Sequence, residues 1–220
     1  MRESLRNNGL SIALFTLFLL SIIGQAIAGW RALAEELRLH GLPPVGFFDY
    51  LTTGHFLSAT FENWESEFLQ MAVYVLLTAV LVQRGSPESK KPDDANPEDE
   101  TPERRRGVSN APWPVHRGGL LLRLYSHSFS IALVMLFALS FWLHLAGSTR
   151  RSNEEALRHQ QPTKTITETL AEPEFWYESF QNWQSEFMSI GVLIILGIYL
   201  RERGSPESKP VAAPHAKTGH

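Results

Sequence analysis

The chain has 220 residues, a formal net charge of −3 at pH 7 and no cysteine. This charge gives no attraction for a polyanion, and basic and aromatic residues do not interleave, so we predict no nucleic-acid partner. The lack of cysteine excludes disulfides and thiolate metal sites. The mean hydropathy is slightly negative, as in a soluble protein. However, the apolar residues are segregated into four blocks separated by charged connections, which instead indicates a membrane protein.

The first block, residues 10–30, contains no ionisable side chain. At about 1.5 Å per residue, roughly 20 helical residues cross the ~30 Å hydrocarbon layer, so this block can span it. An alternative is a cleaved signal peptide, because Ala26-Ile27-Ala28 resembles a small-residue cleavage site. We favour a retained helix over about 10–38, because the block is long for a signal sequence and the block that aligns with it is internal.

The second block, residues 68–82, is short for a span and is followed by R-G-S-P, which stops a helix. The helix can therefore lengthen only upstream, through the motif F-x-N-W-x-S-E-F at 61–68. We predict a helix over about 60–83. Trp64 is then expected at the membrane interface, where its amphipathic ring is favoured.

The chain is a tandem duplication. The motif at 61–68 returns at 180–187, and R-G-S-P-E-S-K at 84–90 returns at 203–209, both with an offset of 119 residues. We predict two membrane repeats, 1–84 and 120–203. The second repeat is expected to contain helices over about 121–158 and 176–202.

Two segments have a composition typical of disorder. The linker 85–119 and the tail 204–220 are rich in Pro, Ser and charged residues and nearly free of aliphatic ones. Such segments cannot bury enough apolar area to offset the entropy lost on ordering. We predict that both are disordered.

Orientation follows from the positive charges beside the helices. The connection 84–123 contains eight Lys and Arg residues and the tail from 201 four, whereas the connections 31–66 and 148–185 contain two and four. We therefore predict a multi-pass protein of the inner (cytoplasmic) membrane, with both termini and the linker cytoplasmic. The predicted fold is all-α, with four transmembrane helices arranged as two tandem hairpins inserted the same way up.

The motif places polar side chains on one stripe of each second helix, because positions i, i+3 and i+4 share a helix face. Gln25 on the first helix and the aligned His144 on the third lie at a similar depth. We predict a polar layer near the outer interface, with tryptophans as interfacial anchors. The predicted layer consists of Asn63, Ser66, Glu67, Asn182, Ser185, Glu186, Gln25 and His144, and the anchors are Trp30, Trp64 and Trp183.

Two interpretations of this layer remain open. In the first, Glu67 and Glu186 carry charge in a site for a cation, a proton or a small polar solute. In the second, which we favour, the motif anchors the helices at the interface and joins them by hydrogen bonds. No nucleophile constellation, metal-ligand pair or phosphate loop occurs, so we predict neither an enzyme nor a bound metal or cofactor.

The segments G-Q-A-I-A-G-W at 24–30, F-E-N-W-E-S-E-F-L-Q-M at 61–71 and R-G-S-P-E-S-K at 84–90 resemble a bacterial membrane-protein family known as a domain of unknown function. The resemblance implies a four-helix integral membrane protein and no activity, so it assigns no catalytic residue. The second copy departs from the family pattern, with Leu143 and His144 in place of Gly24 and Gln25.

Together these patterns favour a non-enzymatic scaffold or envelope accessory protein. Its expected partners are the lipid bilayer and either further copies of itself or other membrane proteins. The alternative is a small transporter or a proton- or cation-coupled channel that uses the Glu67 and Glu186 layer.

Overall fold

A computed structural model describes residues 2–91 and 96–217, with side chains from residue 7 onward. The described residues form helices and turns without strands, which confirms the all-α class. The α-helices are α1 (Arg2–Leu39), α2 (Phe47–Tyr50), α3 (Gly54–Val80), α4 (Trp113–Arg117), α5 (Gly119–Ser126), α6 (Ser128–Arg158), α7 (Ile166–Ala171) and α8 (Pro173–Tyr199).

Helix boundaries follow the offset of the duplication. α3 and α8 each contain 27 residues, and both their first and last residues lie 119 positions apart. α1 and α6 end at Leu39 and Arg158, again 119 positions apart. The second helix of each copy is thus the same structural element in both halves.

α3 and α8 begin and end earlier than predicted. α3 extends upstream to Gly54, whose backbone N–H donates to the Glu154 carboxylate at 3.2 Å, a partner 100 residues away in sequence. At its other end, Lys90 Nζ donates to the Ala79 carbonyl at 2.8 Å. Because a helix leaves its last carbonyls unpaired, this lysine stabilises termination at Val80 rather than at 83.

The helix predicted over about 121–158 is interrupted. α5 ends at Ser126, and His127 has non-helical backbone angles (φ −114°, ψ 13°) before α6 begins. The linker contains two 3₁₀ turns, Pro97–Asp99 and Pro102–Arg105, followed by the short α4. Disorder of the linker and the tail in solution stays a prediction.

Two helices in the described part of the chain are long and apolar enough to cross a membrane, Asn7–Leu39 and Ser128–Arg158. α3 and α8 are not apolar enough to be counted as candidate membrane spans. Of the four predicted transmembrane helices, the structure therefore supports the first and the third. The physical reason is that the first half of α3 and of α8 is the polar, carboxylate-bearing motif rather than an apolar run.

The chain divides into two compact units. The first consists of Met1–Phe61 and Leu143–Glu172, and the second of Glu62–Trp142 and Pro173–His220. In the first unit, Leu33 and Leu37 of α1 and Tyr50 of α2 form a buried core. Tyr50 lies directly against Gly29, where an added Cβ would come within 2.1 Å of the tyrosine hydroxyl. The connection after α1 therefore folds back onto that helix.

Two glycines bring the start of α3 close to the end of α6 within the first unit. A Cβ on Gly54 would lie 2.1 Å from the backbone nitrogen of Arg151, and one on Gly147 would lie 2.6 Å from that of Ser58. Beside them, the hydroxyls of Ser58 and Ser148 share a buried hydrogen bond of 3.0 Å. Small residues allow such close backbone approach between helices.

Candidate functional site

The first copy of the motif places two carboxylates against α8 in the second unit. Glu65 is fully buried, with 0% exposure, and its Oε1 accepts a 2.8 Å hydrogen bond from Nε1 of Trp183. The Glu62 carboxylate accepts a hydrogen bond from the Asn182 amide, which also donates to the Glu178 carbonyl at 3.0 Å. We name Glu62, Glu65, Asn182 and Trp183 the motif interface.

This interface follows from helical spacing and from the chemistry of its groups. Glu62 and Glu65 are three residues apart, so they lie on one face of α3. Hydrogen bonds to an ionised acceptor are shorter and stronger than bonds between neutral groups. Because burying a carboxylate is costly unless it is hydrogen-bonded, the indole N–H of Trp183 offsets part of that cost for Glu65. The motif interface therefore joins α3 to α8.

Aromatic side chains hold the Trp183 ring in position. Its centroid lies 5.3 Å from that of Phe180 and 6.4 Å from that of Trp176, both on α8. Phe137 of α6 packs against it at 6.2 Å. All three contacts are close to edge-to-face, a favoured arrangement for aromatic pairs. The indole N–H is thus aimed at Glu65 by packing as well as by its hydrogen bond.

The two motif serines bond within their own helices. Ser66 donates to the Asn63 carbonyl at 2.8 Å, and Ser185 donates to the Asn182 carbonyl at 2.8 Å. Ser66 is buried, whereas Ser185 and the Asn63 side chain are exposed. Asn182, also in the predicted polar stripe, bonds through its side chain to the facing helix at the motif interface.

The two predicted charge carriers both lie in the second unit. Glu67 is exposed and Glu186 is half-buried, and the two carboxylates interact electrostatically. A shared site for a cation or a proton stays a prediction.

Gln25 and His144 belong to the first unit. Gln25 Nε2 donates to the Thr60 hydroxyl at 3.1 Å, and that hydroxyl donates to the Phe56 carbonyl at 2.8 Å. His144 is fully buried. The other six predicted residues lie in the second unit, so one continuous polar layer stays a prediction.

The three predicted tryptophan anchors have different surroundings. Trp30 Nε1 donates to the Val45 carbonyl at 2.8 Å, and its ring meets Phe47 edge-on at 5.7 Å. Trp64 is half-buried, and Trp183 belongs to the motif interface. The indole N–H groups of Trp30 and Trp183 therefore bond inside the protein.

Sequence reasoning missed Glu62 and Glu65, because they occupy the variable positions of the motif. The aligned residues of the second copy are Gln181 and Gln184. A signal was available in this comparison, since both variable positions hold glutamate in the first copy and glutamine in the second. A carboxylate accepts only, whereas an amide also donates, so the two copies differ in what they can bind.

The start of α3 contains a histidine that lies beside the buried Tyr50. The Tyr50 hydroxyl lies 3.1 Å from Nδ1 of His55. Burial lowers the pKa of His55 below its ordinary value. Charged neighbours adjust this shift, the pKa being lowered further by Arg151 and Arg158 and raised by Glu36 and Glu154.

Each R-G-S-P-E-S-K segment closes a loop with the same hydrogen bonds. In the first, Ser89 Oγ accepts from the Gln83 N–H at 2.8 Å and Ser86 Oγ accepts from the Glu88 N–H at 3.1 Å. The glycine of this loop, Gly85, has φ +90°, a conformation that glycine adopts without strain.

The second segment repeats both of these hydrogen bonds. Ser208 Oγ accepts from the Glu202 N–H at 2.9 Å, and Ser205 Oγ accepts from the Glu207 N–H at 3.1 Å. Gly204 has φ +87°. The segment predicted as a simple helix stop is therefore a defined loop, made twice.

A groove lies between α3 and α8 in the second unit, with a volume of about 450 Å³. The first loop closes one end of it, where the Tyr74 hydroxyl donates to the Glu88 carboxylate at 3.3 Å. Its walls are largely apolar and include Val73 and Leu77 of α3 and Ile190 of α8. A volume of this size is within the range of small-molecule sites.

Comparison with known proteins identifies the family and nothing more specific. No curated protein and no solved structure matches the chain. A family model matches residues 1–220, so this chain belongs to the family described as a domain of unknown function (DUF6766).

Proposed function

We propose that this chain is a non-enzymatic scaffold or envelope accessory protein of a bacterial cytoplasmic membrane, in which the motif interface joins two helical hairpins. The observation that carries the proposal is Glu65, fully buried and hydrogen-bonded to Trp183 of the second copy. A carboxylate that is enclosed and bonded in this way is used for assembly rather than for contact with solute.

The same interface supports a four-span topology. A helix of 27 residues is about 40 Å long, which exceeds the ~30 Å hydrocarbon layer. Charged side chains at membrane depth are tolerated when they face protein and are paired. Glu62 and Glu65 meet that condition through Asn182 and Trp183. We therefore place α3 and α8 across the bilayer together with α1 and α6, with both termini cytoplasmic.

Single-cysteine labelling tests this topology, and the natural chain lacks cysteine. Thr52, Ser109 and Thr163 are exposed positions in three different connections. With four spans, a membrane-impermeant maleimide added to intact spheroplasts labels Thr52→Cys and Thr163→Cys, whereas Ser109→Cys reacts only after permeabilisation. With spans at α1 and α6 alone, the Thr52 and Ser109 variants react together and the Thr163 variant does not, which would reject the proposal.

Substitution at the interface tests the assembly role. Trp183→Phe keeps an aromatic ring but removes the N–H that Glu65 accepts. Trp142, which is 56% exposed, provides the matched control Trp142→Phe. We expect the first variant to lower the unfolding midpoint in detergent, because the interface loses a hydrogen bond to a buried carboxylate, while the control matches the natural protein. Equal behaviour of the two variants would contradict the role of the interface.

A second candidate function is a small transporter or a proton- or cation-coupled channel. The observation that favours it is the electrostatic interaction of exposed Glu67 with Glu186. Neither carboxylate belongs to the motif interface, so both can be changed without removing its hydrogen bonds. Loss of proton or cation flux in proteoliposomes for Glu67→Gln with Glu186→Gln, with unchanged folding, supports transport. No flux in the natural protein rejects it.

A further inference from the structure

The groove between α3 and α8 has chemistry that the scaffold role does not use. Its walls are apolar along most of their length, with Val73 and Leu77 on one side and Phe187, Ile190 and Ile194 on the other. Of the groove residues that the structure describes, one carries a charge, the acidic Glu88. The lining is therefore apolar with a negative charge at one end.

The acidic end is formed by the first copy of the R-G-S-P-E-S-K segment. Glu88 lines the groove, and its carboxylate accepts a 3.3 Å hydrogen bond from the Tyr74 hydroxyl. This carboxylate is therefore held at one end of the apolar walls.

The backbone fixes this end in place. Pro87 of the first loop packs on Gly197 of α8, where an added Cβ would lie 3.3 Å from the proline ring. Ser86 is fully buried and bonds to the backbone N–H of Glu88. Glu88 is therefore presented to the groove by a loop that is packed against α8.

We infer that this groove binds an amphipathic cation, a molecule with an apolar body and a single ammonium- or phosphonium-type charge. The apolar body fits the walls formed by α3 and α8, and the charge is complementary to the Glu88 carboxylate that lines the groove. A zwitterionic lipid is disfavoured, because its phosphate would approach that carboxylate.

Size-matched ions of opposite charge provide the probe. Radiolabelled tetraphenylphosphonium is added to the full-length protein in nanodiscs, and binding is measured by equilibrium dialysis in competition with unlabelled ligand. Tetraphenylborate has nearly the same shape and carries a negative charge. We expect saturable binding of the phosphonium and none of the borate above protein-free nanodiscs. Equal retention of both ions would mean partition into lipid and would overturn the inference.

Charge variants locate the site. Glu88→Gln is expected to weaken phosphonium binding about tenfold, since it removes the charge that lines the groove. Glu207→Gln changes the aligned residue of the second copy, which is exposed and outside the groove lining, and is expected to weaken binding less than Glu88→Gln. Glu103→Gln, an exposed position in the linker, is the control and should bind as the natural protein does. Unchanged binding by Glu88→Gln would overturn the inference.

A steric variant keeps the test informative if the charge variants fold poorly. Gly191 lines the groove, and a Cβ added there would meet no atom within 4 Å. Gly191→Phe therefore fills the groove without an initial clash, and we expect it to abolish saturable binding. Gly24 of α1 also has open space around it, so Gly24→Phe is the matched control that should retain binding. Binding that survives in Gly191→Phe rejects the groove as the site.

This inference goes beyond the scaffold role, since failure of phosphonium binding leaves the Trp183 experiment unaffected.

Discussion

The two copies of F-x-N-W-x-S-E-F share their letters but not their surroundings. In the first copy Glu65 and Ser66 are buried, whereas the aligned Gln184 and Ser185 are exposed. Glu65 accepts a hydrogen bond from Trp183 of the other copy, but Gln184 donates to the Gln181 carbonyl of its own helix. A duplicated segment has thus become two different parts, one that accepts and one that donates.

This difference explains why the copies are not interchangeable. Gln181 and Gln184, at the variable positions of the second copy, are exposed. The second copy meets the first through Asn182 and Trp183, which donate to Glu62 and Glu65. The first copy therefore supplies the acceptors from its variable positions, and the second copy supplies the donors from its constant ones.

The largest expected effect is a difference in the free energy of unfolding between variants of Gly147 and of the aligned residue Ala28. A Cβ on Gly147 would lie 2.6 Å from the Ser58 backbone nitrogen, whereas Ala28 is exposed. Gly147→Ala forces backbone atoms apart, and we expect it to lower the free energy of unfolding by about 3 kcal/mol. Ala28→Gly should cost less than about 1 kcal/mol, the backbone entropy term. Denaturant titration in micelles, followed by circular dichroism, measures both, and equal losses would contradict this close packing.

The next comparison is Glu65→Ala against Gln184→Ala. The first removes the acceptor of a buried indole N–H, so we expect a loss of about 2 kcal/mol in the free energy of unfolding. The second removes an exposed amide bonded within its own helix, and we expect a change within about 0.5 kcal/mol. Denaturant titration in micelles, followed by circular dichroism, measures both losses. A larger loss for the Gln184 variant would reverse the assignment of the two copies.

The loops give a smaller contrast. Ser86 is fully buried and Ser205 half-buried, although both accept the N–H two residues ahead. Ser86→Ala leaves that N–H without its partner inside a packed loop, and we expect a loss of about 1 kcal/mol in the free energy of unfolding. Ser205→Ala should lower the free energy of unfolding by about 0.3 kcal/mol at most, since water can replace the hydroxyl. Thermal unfolding followed by circular dichroism compares the two variants. Equal shifts of the unfolding midpoint would indicate that burial of the first loop does not contribute to stability.

Some of this could be predicted from sequence. The helical class and the equivalence of α3 and α8 follow from apolar blocks and a constant offset, which are local signals. The early start of α3 could not be predicted, because Glu154 bonds to Gly54 across 100 residues. The role of Glu65 could not be predicted either, because periodicity places a residue on a helix face but does not show which neighbour covers that face.

The smallest expected effect is a pH dependence confined to the first copy. His55 of α3 aligns with Glu174 of α8, so a histidine titrates at one helix start and not at the other. The pKa of His55 is lowered by burial and by Arg151 and Arg158. The folded state therefore binds the proton less well than the unfolded chain, and protonation favours unfolding.

The stability that His55 contributes is fully present above the unfolded pKa of about 6.5 and is lost as the pH falls below it. We expect a lower unfolding midpoint at acidic than at neutral pH, and His55→Gln should reduce that difference. His40→Gln, at an exposed position, is the control and should keep the natural slope. The Tyr50 hydroxyl lies 3.1 Å from His55 Nδ1, so protonation also prevents this nitrogen from accepting the tyrosine proton. If the unfolding midpoint of His55→Gln still falls at acidic pH as it does in the natural protein, another group causes the pH dependence. In that case the difference between His55 and the aligned Glu174 does not affect stability.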